Sequence, residues 1–172
     1  MASLAASAAI GKPTIYAHFG SKPRLFSMVV NHILSHHVVA GDDVHAEDPE
    51  LALKKQLSSI LVGCFQPMFL RLFRLFLSEA HKFPEIYAAF NATSENSIRL
   101  LTPHLMRIGE HAKLKAPVRD VAVALLAMAN NLVMMKTVQM ERGHDIAPDD
   151  EADRIVRVVL YGLVERSARR GR

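Results

Sequence analysis

An all-α chain is predicted by three features of this sequence. Apolar residues recur at steps of three and four, no sustained period-two run signals a sheet, and Pro and Gly punctuate the periodic segments. Half of the 172 residues are apolar, which supports a packed core. That length suits one domain of ordinary size, or a small head on a larger body.

The elements follow in order. "SLAASAA" is a short alanine-rich helix, and Gly11 ends it. Pro13 then stands near the first position of a new helix, where a missing N–H costs nothing. Gly20 and Ser21 stop that helix at Phe19, and Ser21 is a good N-cap for the next, from about Lys22 to about Ala40. Along it Leu25, Phe26, Val29, Val30, Ile33 and Leu34 keep helical spacing. "GDDVHAEDPE" is a polar linker, and Pro49 opens a helix covering Leu51 to about Gly63. Pro67 opens another that ends near "HKFPE". Pro84 opens a longer one, which Pro103 is expected to kink or split before Lys113. The last two helices run roughly Pro117–Arg142 and Asp150–Ser167, around the turn-rich "GHDIAPDD".

Those last two helices contain "VAVALLAMA" and "IVRVVLYGLV", apolar around most of the circumference. A helix of that kind is buried on more than one side. Two arrangements satisfy it. Either both helices pack against their counterparts in a second copy, as a four-helix bundle across a two-fold axis, or they form a central pair inside one subunit. In the first, Val121, Leu125, Met128, Leu132, Ile155, Val159 and Leu163 form the homodimer interface.

Charge placement says more than the net value of +4. No Asp or Glu precedes Asp42, where an even spread of the 17 acids would put about four. Lys12, Lys22 and Arg24 make that stretch an anion-facing segment. The basic end "ERSARRGR" reads as a solvated terminus. A single Cys64 excludes an internal disulfide framework or a thiolate metal cluster and fits a reducing cytoplasm. The opening residues lack a signal-peptide pattern, and Arg71, Arg74, Asn130 and Asn131 are expected to break the apolar runs short of spanning length. A cytoplasmic protein without membrane contact is the expectation.

Two short helices around a tight turn, rich in small and basic residues, suggest a helix-turn-helix at the head of the chain. "SLAASAA" supports, "AIGK" turns, and "PTIYAHF" recognises. On Pro13–Phe19, Thr14 and His18 share one face while Ile15 and Phe19 share the opposite one. Ile15 and Phe19 hold the helix to the head, which leaves Lys12, Thr14, Tyr16, Ala17 and His18 for a DNA groove and its phosphate walls.

"LAASAAIGKPTIYAHFGSKPRLF" closely resembles the N-terminal signature of the tetracycline-repressor (TetR) family of transcriptional regulators, with Thr14, Ile15, Tyr16, His18, Phe19, Ser21, Lys22, Leu25 and Phe26 on matching positions. "FLSEAHKFPEIYAAF" is similar, more weakly, to a segment of many members' bodies. The resemblance implies that Lys12, Thr14, Tyr16 and His18 face a double-stranded DNA operator, with Lys22 on a phosphate. It implies a head over residues 1–41, including a linking helix, and a ligand-binding and dimerisation body over 42–172. It also implies a small effector that loosens DNA binding by changing the spacing of two heads. Family members carry one more helix before the point where this sequence starts. The head is therefore expected to lack its first helix, leaving Leu4, Ile15 and Phe19 poorly covered. Two functions fit: a ligand-responsive repressor acting as a homodimer, or a dimerisation and ligand module without DNA binding.

Within the body, Phe65, Phe69, Phe73 and Phe76 run along one face at helical spacing, as the wall of a pocket for an apolar or amphipathic effector or as ordinary core. Asn130 and Asn131 interrupt an apolar helix, and at least one is expected to be buried, bonding an effector or registering the dimer. His104 and Arg107, beside Pro103, either meet the polar end of a ligand or lie on a solvated face. No metal or cofactor is expected, since the nine histidines form no tight ligand spacing and no phosphate loop or nucleophile elbow occurs. An enzyme built on His104 or Glu79 has no motif in its favour.

Overall fold

Prolines set where the helices begin in this computed structural model, which describes residues 11–21, 24–25, 28–30, 32–33, 48–79, 81, 84–138 and 147–165. Six helices are assigned from end to end within these residues: α1 (Lys12–Phe19), α2 (Pro49–Cys64), α3 (Pro67–Glu79), α4 (Pro84–His111), α5 (Val118–Val138) and α6 (Pro148–Leu163). Pro49, Pro67, Pro84 and Pro148 each occupy the first helical position, where the absent N–H has no partner to lose. Residues 24–25, 28–30 and 32–33 are also helical, within the expected linking helix. The segments 1–10, 34–47, 139–146 and 166–172 lie outside the described residues, and with them "SLAASAA", Leu4, most of the acidic linker and the basic tail.

Caps explain the sharpest starts. Asp48 is extended (φ −99°, ψ 106°) and its carboxylate accepts from Glu50 N and Leu51 N, at 2.9 and 3.3 Å. Such a cap contributes about 1 kcal/mol. Ser21 caps the linking helix as its residue type predicts, its Oγ accepting from Arg24 N at 3.3 Å. Between α2 and α3 the chain turns by 75° at Phe65 and Gln66.

α2 lies between α4 and α6, and α5 packs on α3, α4 and α6. The core gathers Leu53, Leu57, Ile60 and Leu61 of α2, Leu101 and Leu105 of α4, Val121, Leu125 and Val133 of α5, and Ala152 and Val156 of α6, all at most 1 % exposed. Val30 of the linking helix is fully buried in the same cluster. Polar ties flank the core. Lys54 of α2 reaches Glu50 at 3.1 Å and Asp153 of α6 at 2.9 Å, and Ser58 donates to Asp149. Lys54, with Arg157, holds the Asp153 carboxyl below its ordinary pKa.

Several expectations are corrected. The two-copy arrangement puts Val121, Leu125, Ile155 and Val159 in a subunit interface, yet each is at most 6 % exposed within one subunit. The reason is geometric: α2 and α4 of the same subunit cover these residues. Met128 is 37 % exposed and Leu132 half-buried, while the side chain of Leu163 lies outside the described residues. Asn130 and Asn131 are both exposed, on the side of α5 turned away from Val121, Leu125 and Ala129. Pro103 does not split its helix, for α4 is continuous from Pro84 to His111. Neither do Asn130 and Asn131 shorten α5, which at 21 residues is long and apolar enough to span a bilayer by length and composition, although its Val121–Val133 side is packed in the core. A two-residue antiparallel ladder also forms, Lys113 opposite Glu165 and Leu114 opposite Val164. Two residues carry no period, so no alternation in sequence announces it.

Candidate nucleic-acid interface

α1 presents a short, acid-free surface. Its first turn starts from Gly11, whose carbonyl accepts from Ile15 N at 3.2 Å, and Gly20 ends it at φ +78°, a conformation that glycine adopts without strain. Ile15 is 2 % exposed and anchors the helix. Its burial corrects the expectation of poor cover at that residue, while Phe19 is half-buried, its ring edge-on to His18 at 5.0 Å. Pro13, Thr14, Ala17 and His18 are all exposed. The side chains of Lys12 and Tyr16, and the whole of Lys22, lie outside the described residues.

The exposed face therefore combines a hydroxyl, an imidazole and a small methyl on a helix of eight residues. At 1.5 Å per residue α1 is about 12 Å long, close to the width of a B-DNA major groove. Hydroxyl and imidazole groups can bond phosphate oxygens and base edges alike, and the Ala17 methyl keeps the face between them low. Arg24 is exposed beside the turn, its guanidinium about 4 Å from where a Cβ on Gly20 would stand. Among the described residues from 11 to 33 there is no carboxylate.

No family model and no curated relative matches the sequence. Solved structures do. A protein assigned to the TetR family of transcriptional regulators from Mesorhizobium loti MAFF303099 superposes with a TM-score of 0.74 at 19 % identity, over 94 % of this chain and 84 % of that one. The TetR-family regulator PfmR from Thermus thermophilus gives 0.60 at 21 %, over 95 % and 87 %. A transcriptional regulator from Rhodococcus sp. Rha1 gives 0.72 at 17 %, over 95 % and 86 %. The chain has the TetR-regulator fold.

In this TetR-type body the aromatic residues come together. Phe69 and Phe73 stack at 6.3 Å, Phe73 and Phe76 at 5.8 Å, and Phe90 of α4 meets all three at 4.4 to 6.0 Å. Sequence reasoning misses Phe90, though it stands four residues after buried Ile86 on the periodic face of α4. Phe65 stands apart, half-buried under the Lys136 ammonium at 5.4 Å. The rings of Phe69, Phe73, Phe76 and Phe90 fill one another's space, with Phe73 and Phe76 half-open at the edge.

His104 and Arg107 separate in character. His104 is 2 % exposed and its Nδ1 has no hydrogen-bond partner, whereas Arg107 is half-buried. Burial, with the Arg107 cation adding to it, holds the imidazole pKa below its ordinary value. Asn130, the remaining expected effector contact, is exposed. Among the described residues, no three His, Cys, Asp or Glu side chains converge on a point.

Proposed function

We propose that this chain is a DNA-binding transcriptional regulator of the cytoplasm, a ligand-responsive repressor that acts as a homodimer. The observation that carries the reading is α1, an acid-free helix anchored by Ile15 with Thr14, Ala17 and His18 exposed, in a chain whose fold neighbours are transcriptional regulators. One α1 enters the major groove of each half-site, and the two heads sit about 34–36 Å apart, one helical turn. The next helix, capped by Ser21, directs its N-terminal N–H groups and dipole at a phosphate, with Lys22 and Arg24 adding positive charge. This accounts for cations where a helix start ordinarily carries acids.

Dimerisation is supported by side chains turned outward on α5 and α6. Val123, Met134, Met135 and Val138 on α5, with Val158 and Tyr161 on α6, are 41–72 % exposed, an apolar surface apt for a second copy. The effector in this reading is a small apolar or amphipathic molecule received where Phe73 and Phe76 are half-open, and it shifts the population toward a head spacing that no longer fits the operator.

Gel retardation with the DNA upstream of the chain's own gene tests the proposal. The full chain is expected to give salt-sensitive retardation. Arg24→Ala should weaken binding about tenfold on all sequences and lower the salt slope by about one. Thr14→Ala should instead change the preference among operator variants by about 1–3 kcal/mol. Absence of salt-sensitive retardation removes the reading, and wild-type behaviour of both variants removes this surface as its basis.

A further inference from the structure

The middle of α4 combines a weak backbone with a buried base. Pro103 has no N–H, so the carbonyl of Arg99 lacks the hydrogen bond that the residue four positions on would donate. Just before it, Thr93, Ser97 and Thr102 each turn a hydroxyl back to the carbonyl four residues earlier, at 3.1, 3.1 and 2.8 Å. Such bonds compete with the helical ladder and favour bending. His104 follows immediately, buried among Leu101, Leu105 and Ile108 of its own helix, with Nδ1 unpartnered.

Among the described residues, the elements packed on α4 bring no buried compensating charge to His104. On α2, the inward-facing polar residues are Gln56, Ser58 and Cys64, and burial pushes the Cys64 thiol up to about 12, so it is uncharged. On α5 the buried side is apolar but for Thr137, and Arg119 at its exposed start is paired with Glu95 at 2.7 Å. Lys113 of the two-residue ladder is exposed, as is Arg71 of α3, while Arg74 donates to the Thr137 carbonyl. Arg107, one turn on, is a cation. No carboxylate is buried among the described residues. A proton on Nδ1 makes it a charged donor in a largely apolar shell with a like charge nearby, and among the described residues no buried carboxylate compensates it.

We propose that Pro103–His104 is an acid-sensitive hinge: protonation of His104 is accommodated only when the C-terminal part of α4 moves off α2 and α5 and carries the imidazole to water. The closed, packed state holds His104 neutral; the open state holds it charged. Acidification thus selects the open state, and the weakened ladder at Arg99–Pro103 is where α4 gives way. The device belongs to the body and stands independently of DNA binding.

The sign follows from the direction of the pKa. A base whose folded-state pKa is depressed leaves stability intact above its unfolded value of about 6.5. Stability is then lost as pH falls from there through the folded-state value, because the unfolded or open state binds the proton first. Urea unfolding of the full chain at pH 7.5, 6.5 and 5.5 is the test. The unfolding constant of the wild type should grow by up to about tenfold for each pH unit below ~6.5 beyond the growth seen in His104→Leu and His104→Gln. Both variants keeping the wild-type pH slope would overturn the hinge. If neither variant folds, the imidazole C2–H resonances of the wild type decide. One histidine that fails to titrate in the native state until well below 6.5 is expected, and all of them titrating at the ordinary value overturns the proposal.

Discussion

Leu125→Ala is expected to lower the unfolding free energy by about 2–5 kcal/mol, read as a shift in the urea midpoint at unchanged slope. Leu125 is fully buried on α5, which packs on α3, α4 and α6, and truncation leaves a hole that the packed helices close only in part. The control is Met128→Ala, three residues on. Met128 is 37 % exposed, and its loss should stay within about 1 kcal/mol. The pair separates an inward from an outward face on a helix whose sequence is apolar on both. Equal effects would show that the subunit does not pack α5 in this orientation.

Val158→Glu is expected to leave the subunit folded and to convert the proposed homodimer to monomer. Val158 is 56 % exposed on the outer side of α6, beside Tyr161 at 60 %. Gly162 adds open space on that side, with nothing within 4 Å of a Cβ placed there. A carboxylate buried in an interface costs several kcal/mol of desolvation even with Arg154 one turn away, so the dimer dissociation constant should rise by about tenfold or more. Sedimentation velocity reads the mass, and circular dichroism at matched concentration reads the helix content. A dimer that survives Val158→Glu places the interface elsewhere on the molecule.

Helix starts were the most legible part of the fold. Pro49, Pro67 and Pro84, and the cap at Ser21, act through local backbone chemistry, so a few neighbouring residues suffice to read them. What α5 and α6 bury was not legible, because "VAVALLAMA" and "IVRVVLYGLV" present apolar side chains in nearly every direction and periodicity cannot choose among them. The choice came from α2 and α4, which are distant in sequence. His104 shows the same limit from the polar side. Its residue type favours a wet or ligand-facing position, and only its place between Leu101, Leu105 and Ile108 on one helical face points inward. The exposed face of α1 was readable because the anchor Ile15 and the surface residues Thr14 and His18 are adjacent in one eight-residue helix.

Val30 has a further consequence. It lies in the segment that follows α1 and Ser21, yet it is fully buried in the cluster with Leu53, Leu57 and Leu61, with Ile33 packed against it. A head strung on a slack tether would melt by itself, at its own temperature. Here the strut that carries α1 loses its seat only when the larger core comes apart, and that core cannot reform without refilling the place of Val30. The two should therefore melt as one cooperative unit, and calorimetry is expected to give a single heat-absorption peak whose van't Hoff and measured enthalpies agree.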